Sequence, residues 1–465
     1  MGNRRAIFRR VARVLLALAA IPPAALAGGP PTAGAARPNV VVILADDLGY
    51  SDLGCFGGEV PTPAIDSLAR EGAKFTNFYT ASTCTPSRYA LLTGTYPNRS
   101  ADQLLAPLDY LDPRDDVRGL RAGVPTVADR LRAVGYVTSL VGKWHVGFGR
   151  PEFRPRQHGF DHFFGYSAGA IDYFTSRYGK FPDLWRDDAL ANVPGYATDV
   201  LTAESLAEIA RLAGPQPFFL YVAQVAPHFG KPWNAREQKA YNAMQPRPET
   251  LARFEWIRDP VRRHYAALIA DVDAAVGDTL RAIKAAGIEE NTLVVFMSDN
   301  GGVLHLGATN RPLAGQKGTL YEGGIRVPCL VRWPGHIRPG SVVDVPAHSV
   351  DWLPTLLRLA GAGAPPVPAD GIPLLPLEEF TGRPERPLFW DEVAAERDGG
   401  GESQAMRRGD WKYLRLKSGS EHLFNLRNDP GEQHDLAVAE PARCAALRAA
   451  FAEWRRSIYG PAAAR

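Results

Sequence analysis

Cys84-Thr85-Pro86-Ser87-Arg88 sets a sulfur nucleophile four residues from a guanidinium. Pro86 suits the first turn of a helix, where its missing N–H costs nothing, so the sequence predicts a helix that begins at Cys84. The free N–H groups and dipole at such an end favour anions, and Arg88, one turn on, can point back at the same anion. A cysteine so placed has a lowered pKa, which makes a thiolate nucleophile one reading of the segment. Two further segments offer oxygen ligands. Asp46-Asp47 follows the apolar run Val40-Val41-Val42-Ile43-Leu44, and adjacent carboxylates repel unless a cation or donors neutralise them. Ser298-Asp299-Asn300-Gly301-Gly302 follows a second such run, with glycine for close backbone approach. Either alone reads as a solvated turn; at two strand ends of one sheet they predict an oxygen cage for Ca²⁺ or Mg²⁺.

With these residues in view, CTPSRYALLTG (residues 84–94) resembles the signature of the type I sulfatases, C-x-P-S-R-x-x-x-L-T-G, at all seven specified positions. Other segments resemble that family in the same order. They are Gly142-Lys143-Trp144-His145-Val146-Gly147, Ala226-Pro227-His228, Gly315-Gln316-Lys317-Gly318 with Glu322-Gly323-Gly324-Ile325-Arg326-Val327-Pro328, and, near the C-terminus, Arg408-Gly409-Asp410-Trp411-Lys412. The resemblance covers roughly residues 38–440. One departure is Ala314, where many relatives carry Arg before the Gly-x-Lys.

The resemblance implies a sulfuric ester hydrolase whose Cys84 is oxidised to formylglycine (3-oxoalanine) by a formylglycine-generating enzyme acting on the unfolded chain. It implies one Ca²⁺ held by Asp46, Asp47, Asp299 and Asn300, with modified Cys84 also reaching the metal. Arg88, Lys143, His145, His228 and Lys317 complete the implied catalytic set. By the family mechanism one hydroxyl of hydrated residue 84 attacks sulfur, with Asp299 as candidate base and His228 or Lys317 as proton donor to the leaving alcohol. The second hydroxyl, deprotonated with help from His145, then expels sulfate, a step open to neither serine nor unmodified cysteine. Glu322 and Arg326 are expected to brace the glycine-rich loop. His305, following the Asp299-Asn300 loop, is the candidate substrate contact. Phe164-Gly165-Tyr166, Ala170–Phe174 and Gly195–Asp199 are similar to the arylsulfatase B-like and N-acetylgalactosamine sulfatase-like branch, which implies a sulfated carbohydrate substrate with aryl sulfates as surrogates.

Two other classes compete. A phosphonate monoester or phosphodiester hydrolase of the same alkaline phosphatase superfamily stays open, since some relatives use the same modified cysteine. A non-catalytic sulfoglycan-binding protein would be marked by loss of Cys84, Lys143, His145, His228 or Lys317, and all five are present.

These residues need a scaffold. Helical stretches (63–70, 126–133, 199–213, 261–286) alternate with β-branched or aromatic runs (40–44, 74–79, 136–141, 218–222, 292–297). That alternation predicts an α/β fold, a large and mostly parallel sheet flanked by helices, with ligands beyond the carboxyl ends of the strands. The resemblance makes it an alkaline phosphatase-like sandwich. Gly361–Pro368 breaks the composition; short strand candidates (388–390, 411–416, 421–426) and a helix (441–457) beyond it predict a smaller α+β subdomain with an antiparallel sheet. The expected domains are residues 38–368 and 369–465.

The 465 residues carry 53 basic and 50 acidic side chains. Five arginines and no acid fall within residues 1–27, so the remainder is mildly acidic and a nucleic-acid partner is not expected. A basic start, a short apolar run and Ala25-Leu26-Ala27 have the layout of a signal peptide, with a spacer at 28–37. The run is too short to span a bilayer, so an exported protein, periplasmic or secreted, with no transmembrane segment after cleavage is expected. Four cysteines exclude a disulfide scaffold.

Overall fold

Val40–Leu44 has no wet face because it is the middle of an eleven-stranded sheet. A computed structural model describes residues 37–363, 369–394 and 401–460. The expected leader, nearly all of the spacer and most of the compositional break lie outside the described residues. Five parallel strands form the centre, in the order His162–Tyr166, Val137–Lys143, Phe218–Pro227, Asn39–Asp46 and Thr292–Ser298. Val41 lies opposite Leu220 on one side and Val294 on the other. Arg326–Arg332 continues the sheet antiparallel to Thr292–Ser298 and pairs in turn with Ala73–Tyr79. In sequence, Arg326–Arg332 continues the glycine-rich motif and carries no strand signal of its own. It is a fully buried strand, Arg-Val-Pro-Cys-Leu-Val-Arg, with its proline beside a register shift.

Side chains alternate between two cores, as the period of a strand requires. Val40, Val42 and Leu44 pack with the helices Cys84–Thr93, Val127–Ala133 and Trp352–Leu359. Val41, Ile43 and Ala45 pack with Pro63–Glu71, Ala197–Leu212 and Pro260–Ala285. The helices start where their sequences say they should. Pro63 and Pro260 open two of them, and Thr126 exchanges hydrogen bonds with Asp129 in a capping box. Among the described residues no helix is long and apolar enough to cross a membrane.

The C-terminal part is a four-stranded antiparallel meander, Pro387–Ala394, Gly401–Arg408, Trp411–Arg415 and Glu421–Asn425, followed by the helix Pro441–Tyr459. The second of these strands escaped the sequence reading because Gly-Glu-Ser-Gln-Ala-Met-Arg-Arg lacks β-branched and aromatic residues; pairing on both sides makes it a strand. Phe389 stacks on Trp454 with ring centroids 4.8 Å apart, and this cluster also contains Ala90 and Tyr96 of the large domain.

A buried ionic cluster ties the two parts together. Glu322 accepts hydrogen bonds from Tyr79 (2.6 Å) and Lys412 (3.0 Å), and Lys412 also pairs with Glu432 at 2.8 Å. Arg326 lies 3.4 Å from Glu322. Burial alone would raise the Glu322 carboxyl, but Lys412, Arg326 and Arg407 bring it down to about 2. Lys412→Met removes the ammonium shared by both glutamates and is expected to cost about 3–5 kcal/mol in urea unfolding. A loss below about 1 kcal/mol would place the cluster among solvent-screened pairs.

Candidate active site

Four parallel strands deliver their chemistry at one edge. Asn39–Asp46 ends in Asp46-Asp47, Val137–Lys143 in Lys143 with His145 beyond it, Phe218–Pro227 in His228, and Thr292–Ser298 in Asp299-Asn300. Asp47 and His145 leave their strands with φ of +64° and +56°, a conformation that costs energy for any residue but glycine and turns both side chains at the strand ends. Gly142 precedes Lys143 with φ +113°, and a Cβ there would lie 1.9 Å from the Ala223 carbonyl oxygen, so only glycine keeps the two strands adjacent. Gly301 has a different use from the one its sequence suggested. A Cβ there would lie 1.8 Å from the Gly323 carbonyl, so the close approach is to the glycine-rich loop.

Cys84 begins the helix Cys84–Thr93, as expected, and every residue of that helix is buried. Its Sγ lies 3.5 Å from Asp46 Oδ1, 3.8 Å from Asp47 Oδ1 and 3.2 Å from Lys317 Nζ. Asp46, Asp47, Cys84 and His228 each offer a ligand atom within 4.8 Å of the others. The lowered thiol pKa expected from the helix N-terminus is not found. Burial pushes the Cys84 thiol up, Lys143 and Lys317 oppose this, and the negative charges of Asp299 and Asp46 add to it.

Three cations face the three carboxylates. Lys143 Nζ is 2.5 Å from Asp46 Oδ2, and Lys317 Nζ is 2.6 Å from Asp47 Oδ1. Arg88 donates from Nε and Nη2 to Asp299 Oδ2 at 3.2 and 2.9 Å, and from Nη1 to the Lys143 carbonyl at 3.0 Å. Arg88 and Lys143 are therefore fully buried behind the carboxylates, while Lys317 reaches the cavity. Burial would raise Asp47, but Lys317 and Lys143 hold it well below the usual carboxylate range. Asp299 goes the other way, up to about 6, through burial and the charge of Asp46 against Arg88 and Lys143. Burial would lower Lys317, yet Asp47 and Cys84 keep its ammonium protonated well above the ordinary range.

Both histidines are neutral. Burial, with Lys143 and Lys317 nearby, brings His228 down to about 3 despite Asp47. Its Nδ1 donates to the Phe229 carbonyl (2.8 Å), which leaves Nε2, 3.6 Å from Asp47 Oδ2, as the acceptor. His145 is held well below its usual value by burial and by Lys143. Its Nε2 donates to the Leu108 carbonyl at 2.9 Å, leaving buried Nδ1 without a partner.

The oxygen set fits a hard cation. Asn300 donates from Nδ2 to Asp47 Oδ1 at 2.8 Å, but its buried Oδ1 accepts nothing, an orphaned ligand oxygen beside three carboxylates. Asp299 Oδ1 also accepts the Asp47 N–H at 3.1 Å, fixing the two strand ends to each other.

A cavity of about 260 Å³ opens onto Cys84, with His145, His228, His305 and Lys317 in its lining. Sequence reasoning missed several contributors. Tyr265 donates to the Asp47 carbonyl at 2.7 Å. Buried Glu392, on the C-terminal sheet, accepts from the Ser82 N–H (2.9 Å) and hydroxyl, and the Ser82 carbonyl accepts from Gly318 N at 2.8 Å. Glu392 thus braces both the approach to Cys84 and the Lys317 loop. No local pattern marks a residue 310 positions from its partner. All four cysteines are free thiols.

Comparison with known proteins agrees with this geometry. The sulfatase family profile matches residues 38–362, and that of the N-sulphoglucosamine sulphohydrolase C-terminal region matches 315–452. Human arylsulfatase A is 35% identical over 473 aligned positions, covering 89% of this chain and 85% of that protein. Mouse arylsulfatase J is 36% identical over 340, covering 71% of this chain, which spans about half (53%) of that longer protein. Human N-acetylgalactosamine-6-sulfatase is 33% identical, covering 76% and 68%. Among solved structures, Ps i-CgsB in complex with k-i-k-neocarrahexaose superposes with a TM-score of 0.80 at 31% identity, covering 91% of this chain and 94% of that one. Since the sulfatase profile spans residues 38–362 and arylsulfatase A is 35% identical over 89% of the chain, this chain belongs to the sulfatase family.

Proposed function

We propose that the protein hydrolyses sulfate esters of saccharides through formylglycine at position 84. The Asp46, Asp47, Cys84 and His228 cluster matches the calcium and formylglycine site of the family. The observation that carries the proposal is Cys84 at the cavity floor, 3.2 Å from Lys317 and beside the carboxylate cage. A saccharide substrate is favoured by the relative named N-acetylgalactosamine-6-sulfatase and by the similar structure solved in complex with k-i-k-neocarrahexaose. Export follows from the signal-peptide layout of residues 1–27, and a formylglycine-generating enzyme is the partner that the Cys84–Arg88 motif requires.

Formylglycine supplies a hydrated aldehyde, one hydroxyl to attack sulfur and a second whose collapse to the aldehyde releases sulfate. Asp46, Asp47, Asp299 and Asn300 would hold Ca²⁺, which supplies positive charge for the sulfuryl oxygens and orients the nucleophile. The chain's own groups do the rest. Three carboxylates balanced by three cations leave the site near neutral, so a divalent ion makes it attractive to a sulfate monoanion. Lys317, protonated and lining the cavity, neutralises the equatorial oxygens and is the proton donor whose proton is already present. His228, neutral beforehand, lines the cavity beside Lys317 and is the second candidate donor to the leaving alcohol, once it has itself taken up a proton. His145, with Nδ1 bare, accepts a proton as sulfate leaves. Arg88 acts through Asp299, which it holds in place.

Calcium should be measurable without turnover. Chelator-treated protein is expected to melt at a lower temperature than the Ca²⁺-loaded form, by the equivalent of about 2.7 kcal/mol at a hundredfold excess over Kd. Asp47→Asn and Asp299→Ala should abolish the shift; a calcium shift that survives both would remove the cage from these residues.

Activity on aryl sulfates should scale with the formylglycine fraction, read by mass spectrometry of the peptide containing residue 84. Cys84→Ala should fall to background, and Lys317→Ala should lower kcat by roughly 10²–10³. Full activity on an unmodified thiol would sink the proposal, and a higher kcat/KM on aryl phosphonates than on aryl sulfates would assign the site to phosphoryl chemistry.

A further inference from the structure

The cavity has a second cation that the chemistry above does not use. Lys231 and Asn242 line the same cavity as Cys84 and Lys317, together with Tyr178 and Phe229. Lys231 Nζ donates to Asn242 Oδ1 at 2.8 Å and stands 5.5 Å from the Tyr178 ring centroid and 5.9 Å from that of Phe229. The segment is built, with backbone anchors on either side of the side chain. Gly179 N donates to the Lys231 carbonyl at 2.8 Å, and Gly230 and Ala243 exchange hydrogen bonds of 2.8 and 3.1 Å. Phe229 follows His228 directly, and their ring centroids are 4.0 Å apart. The Lys231 side of the wall therefore continues directly from the reacting centre.

The chemistry of this wall is that of a saccharide subsite. Aromatic rings beside a polar cluster offer flat faces to a sugar ring, and the Tyr178 ring is itself packed against Tyr110, with centroids 5.0 Å apart. An ammonium next to an amide donor and acceptor recognises an anionic oxygen group as a point charge, without the planar demand of a guanidinium. Asp109 is the lone carboxylate among the described lining residues that does not belong to the cage, and it is tied into its own loop, accepting from Leu111 N at 3.0 Å.

We infer that Lys231 and Asn242 form a second anion subsite, which takes a sulfate or carboxylate carried by the same saccharide next to the sulfate being cleaved, with Phe229 and Tyr178 flanking the sugar. This rests on the sulfatase reading of the site. The preferred substrate is then a saccharide bearing two negative groups.

The test compares formylglycine-containing wild type with Lys231→Met, which keeps the stem and loses the charge. Three substrates are used: 4-nitrophenyl sulfate, a disaccharide with two sulfates, and a disaccharide with one sulfate and one uronate. Lys231→Met is expected to lower kcat/KM on the doubly anionic sugars by about tenfold, mainly through KM and less so at high salt. The aryl sulfate should change by less than about twofold, and Lys231→Arg should recover most of the loss. The two disaccharides show whether sulfate or carboxylate is preferred. Equal losses on all three substrates, or none on the sugars, would overturn the subsite. In the non-reacting Cys84→Ala background, calorimetric affinity for the disulfated disaccharide should also fall about tenfold with Lys231→Met. That arm reads Lys231 independently of turnover: a wild type that cleaves no sulfate ester defeats the sulfatase reading, while an unchanged affinity defeats the subsite.

Discussion

Three carboxylates buried within a few ångströms of one another are the constraint on which the rest of the site depends. Asp46, Asp47 and Asp299 are almost wholly removed from water, and like charges at that spacing cannot all ionise without compensation. The fold answers with Lys143 on Asp46, Lys317 on Asp47 and Arg88 on Asp299. Each cation comes from a different element: a strand end, a loop after the last parallel strand, and the helix that Cys84 begins. Cys84 is thereby placed against the cage by the partner of Asp299, since Arg88 is one turn along the same helix.

The chain answers the same constraint unevenly among its carboxylates. Asp47 is held ionised by Lys317 and Lys143, whereas Asp299 rises to about 6, because burial and the charge of Asp46 outweigh Arg88 and Lys143. A divalent cation would relieve both, because it adds positive charge where the carboxylates converge and takes the idle oxygen of Asn300. Metal binding and the folding of the strand ends are therefore coupled.

Much of this was legible in the sequence because its signals are local. Val40–Leu44 announces a doubly covered strand, Asp46-Asp47 its chemical end, and Cys84-Thr85-Pro86 a helix start; all three are where expected. The limits of legibility are equally physical. Gly401–Arg408 becomes a strand through its neighbours and not through its own composition, and Arg326–Arg332 was hidden inside a motif read for its glycines. Glu392 and Tyr265 reach the site across hundreds of residues, and nothing near either of them in sequence marks the contact. Through Glu392 and the Glu322 cluster, the C-terminal sheet fixes the loops that carry Ser82 and Lys317 and the start of the strand Arg326–Arg332. It is part of the site's framework even though the cavity lining comes from the large domain.

The thiol shows most clearly what a local rule leaves out. A cysteine at a helix N-terminus should be acidic, because N–H dipoles stabilise the thiolate. At Cys84 that stabilisation is outweighed. The sulfur is buried, and Asp46 and Asp47 stand 3.5 and 3.8 Å away, so a negative charge on it is disfavoured even with Lys317 at 3.2 Å. With no cation between them, the carboxylates gathered here suppress a thiolate. In the cation-free cage an unmodified Cys84 is thus a poor nucleophile, and a neutral oxygen nucleophile is the kind these carboxylates accommodate. The same carboxylates that repel a thiolate can accept hydrogen bonds from hydroxyl groups, so the oxidation of Cys84 changes the residue from one the site opposes to one it orients.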